Sequence, residues 1–339
     1  MKNLTIAVIG PYGSGKTSIV EQLKQKEGLE SEDIVVRSFK QRDTLVNLVD
    51  VPGGLDTPEI AIAALSFSNA FMLVIGADNP ITYQLGEFIG ILDNMKFNKG
   101  IICLNKIDSA DKETAIKKLS SLLKGTSLEN VEIFPMSALD PQNIADLREK
   151  LISIEVEDKS NYPAVFTVDS GFEWSKGAVA LGTLLRGKIE VHKKLIICPE
   201  PLTKELEVLS IQVNQEDQKE LIGNSRAGIG LKDIYPWYLN RGVELREEGK
   251  YKDVKEGKIK IELSKLYKNK IEEESEITLI NHWQNVNVKL SNIKIENNIL
   301  NADFSADKNI AFDENDVILA INKDLPIRMF RILGRAYIY

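Results

Sequence analysis

A chain of 339 residues is longer than one ordinary compact core and suits two or three domains, each able to bury its own apolar faces. Hydrophobic residues at 43% and charged residues at 27% are ordinary for folded protein and exclude extensive disorder. The formal charge of -7 excludes a generic nucleic-acid coat, which needs clustered positive charge; a local basic surface stays open, and no DNA partner is expected.

The chain opens on MKNLTIAVIG. Lysine before an apolar run has the order of a signal peptide, but the run is short, has no small-residue cleavage site and enters a glycine loop at once. It reads as a first core strand. The longest apolar region, AIAALSFSNAFMLVIGA, is interrupted by Ser66, Ser68 and Asn69, and reads as a helix end followed by a buried strand, not a membrane span. A cytoplasmic monomer with no membrane partner is expected.

Up to residue 153, β-branched runs (LTIAVIG, TLVNLVDV, AFMLVIGA, GIICLNK, VEIFPMS) alternate with helical stretches (TSIVEQLKQK, TPEIAIAALS, ITYQLGEFIGILDNM, KETAIKKLSSLLKG). That alternation predicts an α/β domain over 1–153, a mostly parallel sheet covered by helices on both faces, with ligands beyond the carboxyl ends of the strands. The polar linker EVEDKSNYP follows. Short alternating strands then predict two all-β barrels, over 163–247 and 250–339, with a seam near EEGKYKDVKEG. Cys103 and Cys198 each lie in an apolar run and read as buried strand residues; His192 and His282 have no Cys or His neighbour at metal-ligand spacing and read as structural or exposed.

The first strand leads into GPYGSGKT, Gly10 to Thr17, the GxxxxGK[ST] pattern that wraps backbone N–H groups around phosphate oxygens at a helix amino terminus. Gly10, Gly13, Ser14 and Gly15 form the loop, Lys16 reaches the β and γ phosphates, and the Thr17 hydroxyl binds Mg²⁺. Chance supplies such a pattern in roughly one chain per hundred of this length. In NKID, the Asp108 carboxylate can accept from both N1–H and the 2-amino group of guanine, a donor pair that adenine lacks. Asn105 and the Lys106 stem are expected to fix the base, and SAL, Ser137, Ala138 and Leu139, to offer backbone N–H to the guanine oxygen. In DVPGG, Asp50 is expected in the metal shell and the Gly53 N–H at the γ-phosphate. The implied ligands are GTP or GDP with Mg²⁺.

Taken together, GPYGSGKT, DVPGG, NKID and SAL resemble the P-loop GTPase domain of translation elongation factors, and the rest of the chain resembles their two β-barrels. KGAVALGTLLRGKIEV, with Gly177, Gly182 and Gly187 at its turns, resembles the second-domain pattern; SRAGIGL and LNRGVEL resemble the strands that follow, and LPIRMFRILGRAYI the closing strands of the third domain. The match is best to SelB and to the divergent SelB-like factors of archaea within the EF-Tu/SelB type. This resemblance implies an aminoacyl-tRNA held across three domains, and a ribosome as partner.

Three departures bear on that implication. The segment between Thr17 and the DxPG motif is short, and an ungapped reading places Ser31 where the family has its Mg²⁺-binding threonine; an ordinary exposed loop serine is the alternative. Gly54 stands where the family has the histidine that positions the attacking water, so no catalytic side chain is assigned and hydrolysis is expected to be slow or partner-dependent. The chain ends at Tyr339, on what reads as the last barrel strand, so the appended domain with which SelB recodes selenocysteine is not expected, and delivery to a recoded codon is doubtful.

Lys176, Arg186, Arg226, Arg328, Arg331 and Arg335 are candidate tRNA contacts, with a solvated barrel surface as the alternative for each. A second reading is a non-hydrolysing GTP-binding protein whose barrels hold protein partners, supported by Gly54, the short switch and the acidic balance. The γ subunit of the initiation factor fares worse, because its zinc-binding cysteine cluster is missing from the sequence. An independent metabolic enzyme is weaker again, since no second catalytic constellation occurs.

Overall fold

The structure is a computed structural model. It describes the chain except residues 1, 31–33, 52, 54–57, 201–203, 214, 215 and 327, and of residues 26–30 it describes the backbone alone. Two positions of the sequence reading, Ser31 and Gly54, therefore lie outside the described residues.

The chain divides into two compact units. One comprises Met1–Val156 with Ser264–Lys268 and Asp324–Ile332; the other comprises Glu157–Leu263, Asn269–Lys323 and Leu333–Tyr339. The first unit holds β1 (Lys2–Ile9), α1 (Lys16–Leu23), β2 (Lys26–Glu30), β3 (Val35–Gln41), β4 (Thr44–Asp50), α2 (Pro58–Ser66), β5 (Ala70–Gly76), α3 (Tyr83–Met95), β6 (Gly100–Asn105), α4 (Lys112–Leu123), β7 (Ile133–Pro135) and α5 (Pro141–Ser153). Its sheet runs β2-β3-β4-β1-β5-β6-β7. The ladders from β4 to β7 are parallel, and β2–β3 and β3–β4 are antiparallel.

The five expected strands are thus β1, β4, β5, β6 and β7. They are legible because parallel strands covered on both faces become continuous apolar runs; every residue of AFMLVIG in β5 is buried. Beyond the expected pattern lie β2, β3 and α5. The stretch KQK, expected to continue α1, leaves the helix after Leu23 and enters β2, whose sequence KEGLE carries three charges and no apolar period. Helix α5 has Pro141 in its first turn and Asp140 as N-cap, whose side chain accepts from the Gln142 N–H. Ile144, Leu147 and Leu151 recur on one face and join the core that α1 shares with the sheet.

The second unit contains both barrels. The first has β8 (Val165–Trp174), β9 (Gly177–Arg186), β10 (Lys188–Glu190), β11 (Lys194–Cys198), β12 (Lys204–Val213), β13 (Glu216–Gln218), β14 (Glu220–Ile222), β15 (Ser225–Lys232) and β16 (Glu244–Arg246). The order β11-β16-β8-β9-β15-β12 closes on itself through β11–β12. The second has β17 (Lys252–Leu263), β18 (Glu276–Asn281), β19 (Gln284–Glu296), β20 (Ile299–Phe312), β21 (Ile318–Ile321) and β22 (Ile332–Ile338), closed in the order β17-β20-β19-β18-β21-β22. Its β19–β20 hairpin turns on Asn297 and Asn298 at φ 51 and 62, left-handed positions that asparagine tolerates and that match the strand twist.

Where the barrels meet within this unit, charge is buried. The Arg246 guanidinium, 1% exposed, reaches Glu244 at 2.6 Å, Asp316 at 2.7 Å and Asp313 at 3.2 Å. Arg186 pairs with Asp316 at 2.8 Å and also with Asp313, and His282 Nδ1 lies 2.8 Å from Glu244. His282 is accordingly structural. Cys103 and Cys198 are buried and free, and burial pushes both thiols up.

Candidate functional site

The glycine loop sits at the carboxyl end of β1 and runs into α1. Gly10 has φ 144, and a Cβ there would lie 2.1 Å from the Val74 carbonyl oxygen in β5, so glycine alone lets the loop pass the sheet. Gly15 has φ 93, and a Cβ there would meet Asn105 Nδ2 at 2.3 Å. Gly13 also takes a positive φ. Gly15 is the N-cap of α1; among the described residues no side chain caps that helix and no acid occupies its first turn, which leaves its leading N–H groups for an anion.

Lys16 folds back over the loop, its Nζ donating to the carbonyls of Gly10 at 2.7 Å and Pro11 at 3.3 Å. Burial lowers its pKa, and the Asp50 carboxylate opposes that shift. Thr17 Oγ1 donates to Asp50 Oδ2 at 3.2 Å. Burial raises the Asp50 pKa, offset in part by Lys16 and by the Thr17 hydrogen bond. Among the described residues the other Asp50 oxygen, Oδ1, is buried with no hydrogen-bond partner, and Ser14 Oγ is in the same condition. Buried polar atoms are usually paired, so these two oxygens, close to Thr17 and Lys16, are available to a ligand. A threonine hydroxyl beside a carboxylate oxygen fits a hard cation such as Mg²⁺, and an uncapped helix terminus with Lys16 fits phosphate.

Asn105 is 2% exposed at the end of β6. It straps the site together: Nδ2 donates to the Ser14 carbonyl at 3.0 Å, and Oδ1 accepts from the Ala138 N–H at 2.9 Å. Lys106, at φ 64, pairs with Asp78 at 2.9 Å, and Asp108 is exposed. The N–H groups of SAL, expected to face the guanine oxygen, differ in their partners. Ser137 N–H donates to Asn143 Oδ1 at 2.8 Å and Ala138 N–H to Asn105, whereas Leu139 N–H makes only a 3.3 Å bond to Ser137 Oγ. Leu139 is 84% exposed, and its N–H is the least committed of the three.

The sequence motifs missed Asp78, Asn143 and Gln84, for each lies outside the short patterns that identify this site. Gln84, in the first turn of α3, accepts from the Tyr12 N–H at 3.4 Å and donates to the Gly53 carbonyl at 3.2 Å.

The six candidate tRNA contacts fall into two groups. Arg186 is committed to Asp313 and Asp316; Arg226 lies 2.5 Å from Asp169, which also accepts from Trp283 Nε1 at 2.7 Å. Arg331, 4% exposed, pairs with Glu87 through two nitrogens at 2.8 and 2.9 Å. Each of these three cations neutralises a carboxylate, an alternative to the solvated surface that the sequence could not display. Lys176 and Arg328 are exposed, and Arg335 is half-buried with its guanidinium 5.3 Å from the Tyr337 ring.

Residues 27–156 match the family model of the elongation factor Tu GTP binding domain. The chain is 28% identical over 376 aligned positions to a selenocysteine-specific elongation factor of Methanocaldococcus jannaschii, covering 98% of this chain and 79% of that one. It is 27% identical to an uncharacterised protein of the same archaeon, covering 98% of this chain and 99% of that one. In fold it is similar to translation elongation factor SelB of Methanococcus maripaludis, crystallised with a GTP analogue, at a TM-score of 0.87 and 24% identity, covering 100% of this chain and 79% of that one. No helix among the described residues is long and apolar enough to cross a membrane.

Proposed function

We propose that this chain, a translational GTPase of the SelB and EF-Tu type, binds GTP with Mg²⁺ and carries an aminoacyl-tRNA across its three domains, with slow or partner-dependent hydrolysis. The observation that carries the nucleotide reading is the Asp50 Oδ1 beside Thr17, unpartnered among the described residues, together with a buried Lys16. Lys16 and the α1 terminus would hold the phosphates, Thr17 and Asp50 the metal, and Asp108 the guanine edge. The metal would neutralise phosphate charge when bound; Gly54 brings no side chain to orient water, which is the ground for slow turnover. Ser31 is proposed as a further metal ligand on sequence alone.

The tRNA reading rests on the likeness to elongation factors, with Lys176, Arg328 and Arg335 as the remaining candidate contacts. Filter binding in low salt is the test: GTP-dependent retention of aminoacyl-tRNA that weakens as salt rises supports it. No retention of any tRNA species would sink it. The commitment of Arg186, Arg226 and Arg331 to ion pairs takes three cations from the candidate tRNA contacts, and the second reading, a GTP-binding protein whose barrels hold protein partners, needs none of them. GTP still bound after purification, without tRNA retention, would favour that reading.

A further inference from the structure

Gln84 joins the two segments that follow the paired strands β1 and β4. Its Oε1 accepts from Tyr12 in the phosphate loop, and its Nε2 donates to the Gly53 carbonyl just beyond β4. Gly53 is packed close: a Cβ there would lie 2.6 Å from Lys16 Nζ and 3.1 Å from the Tyr12 nitrogen and Cα. The backbone at Gly53 is thereby held over the ammonium group that serves the outermost phosphate. Gln84 itself is anchored, because Thr82 caps α3 by accepting from the Leu85 N–H at 3.1 Å.

We propose that Gln84 is a positioning residue that presets Gly53 for the terminal phosphate of GTP, and so sets the preference for GTP over GDP. The inference rests on the nucleotide reading above. A segment already held in its binding position loses little conformational freedom when the ligand arrives. Only a ligand with a third phosphate benefits, because Gly53 is placed beside Lys16 and not at the base.

The test is titration of the full chain with a non-hydrolysable GTP analogue and with GDP, both with Mg²⁺, for the unmodified protein, Gln84→Ala and Gln84→Met. Methionine keeps the length and packing of glutamine and removes both hydrogen bonds. The two variants are expected to bind the GTP analogue about three- to tenfold more weakly, as for the loss of one or two hydrogen bonds, with GDP affinity unchanged. Equal loss for both nucleotides would assign Gln84 a merely structural role and overturn the proposal, as would an unchanged ratio. Failure of the unmodified chain to bind either nucleotide would overturn the nucleotide reading as well, whereas an unchanged ratio with intact binding overturns the role of Gln84 alone.

Discussion

Asn105 Nδ2 donates to the carbonyl oxygen of Ser14 at 3.0 Å, fastening the end of β6 to the phosphate loop. Through Oδ1 the same side chain holds the Ala138 N–H, so the glycine loop and the SAL segment share one buried amide. Asn105→Ala leaves both backbone groups without a partner, at about 1 to 3 kcal/mol for each group that water cannot reach. Nucleotide affinity is expected to fall about ten- to hundredfold, measured by titration with a fluorescent nucleotide. Retention of full affinity would contradict this role.

Asp50 governs the pH dependence. Its carboxyl titrates above the usual aspartate value because burial disfavours the charged form more than Lys16 and Thr17 favour it. The proposed ligation of Mg²⁺ by Asp50 needs the ionised carboxylate. As pH falls below that raised pKa, a proton competes with the metal and Mg²⁺ affinity drops by about tenfold per pH unit, starting at a higher pH than an ordinary aspartate allows. In the absence of metal the sign reverses: ionised Asp50 costs stability as pH rises through the same window. Asp50→Asn is expected to flatten both profiles, in metal titration and thermal unfolding respectively.

The barrels depend on Arg246. Burial disfavours the charged forms of Glu244 and Asp316, yet Arg246 and His282, together with Arg186 for Asp316, hold both carboxyls below their usual range. Such groups contribute stability that is fully present above their unfolded pKa, near 4, and is lost as pH falls below it. Arg246→Ala leaves buried carboxylates without their nearest cation, and a loss of about 3 to 5 kcal/mol in unfolding free energy is expected from denaturant titration. A loss below about 1 kcal/mol would show that water reaches the network.

The proposed slow turnover rests on Gly54. On the family resemblance, Gly54→His restores a side chain that can orient water, and single-turnover hydrolysis is expected to rise by about tenfold or more. The same assay with and without ribosomes separates intrinsic from stimulated hydrolysis. Conventional turnover by the unmodified chain alone would contradict the role given to this position.

The core of the first domain was legible because its parallel strands must be apolar on both faces, as β5 shows, and the loop was legible because Gly10 and Gly15 allow no Cβ. Strand β2 was not: KEGLE sits at the sheet edge, where pairing rather than apolar period makes the strand. The fate of the arginines was hidden for a different reason. Arg186 meets its carboxylates at Asp313 and Asp316, more than a hundred residues away, and sequence shows charge without showing its partner. Asn105 was visible as part of NKID, but its bond to Ser14 depends on how two strand ends converge. Gln84 belongs to no motif and emerges only from the position of α3 beside the loop.

The central claim is tested most directly by competition. A fluorescent GTP analogue is bound to the full chain with Mg²⁺ and challenged with unlabelled GTP, GDP and ATP, for the unmodified protein and for Asp108→Asn. GTP and GDP are predicted to displace the probe while ATP does not, and Asp108→Asn, which loses the acceptor for the two guanine donors, is predicted to bind the probe at least about tenfold more weakly. Displacement by ATP as effective as by GTP, or no binding of the probe at all, would contradict the account.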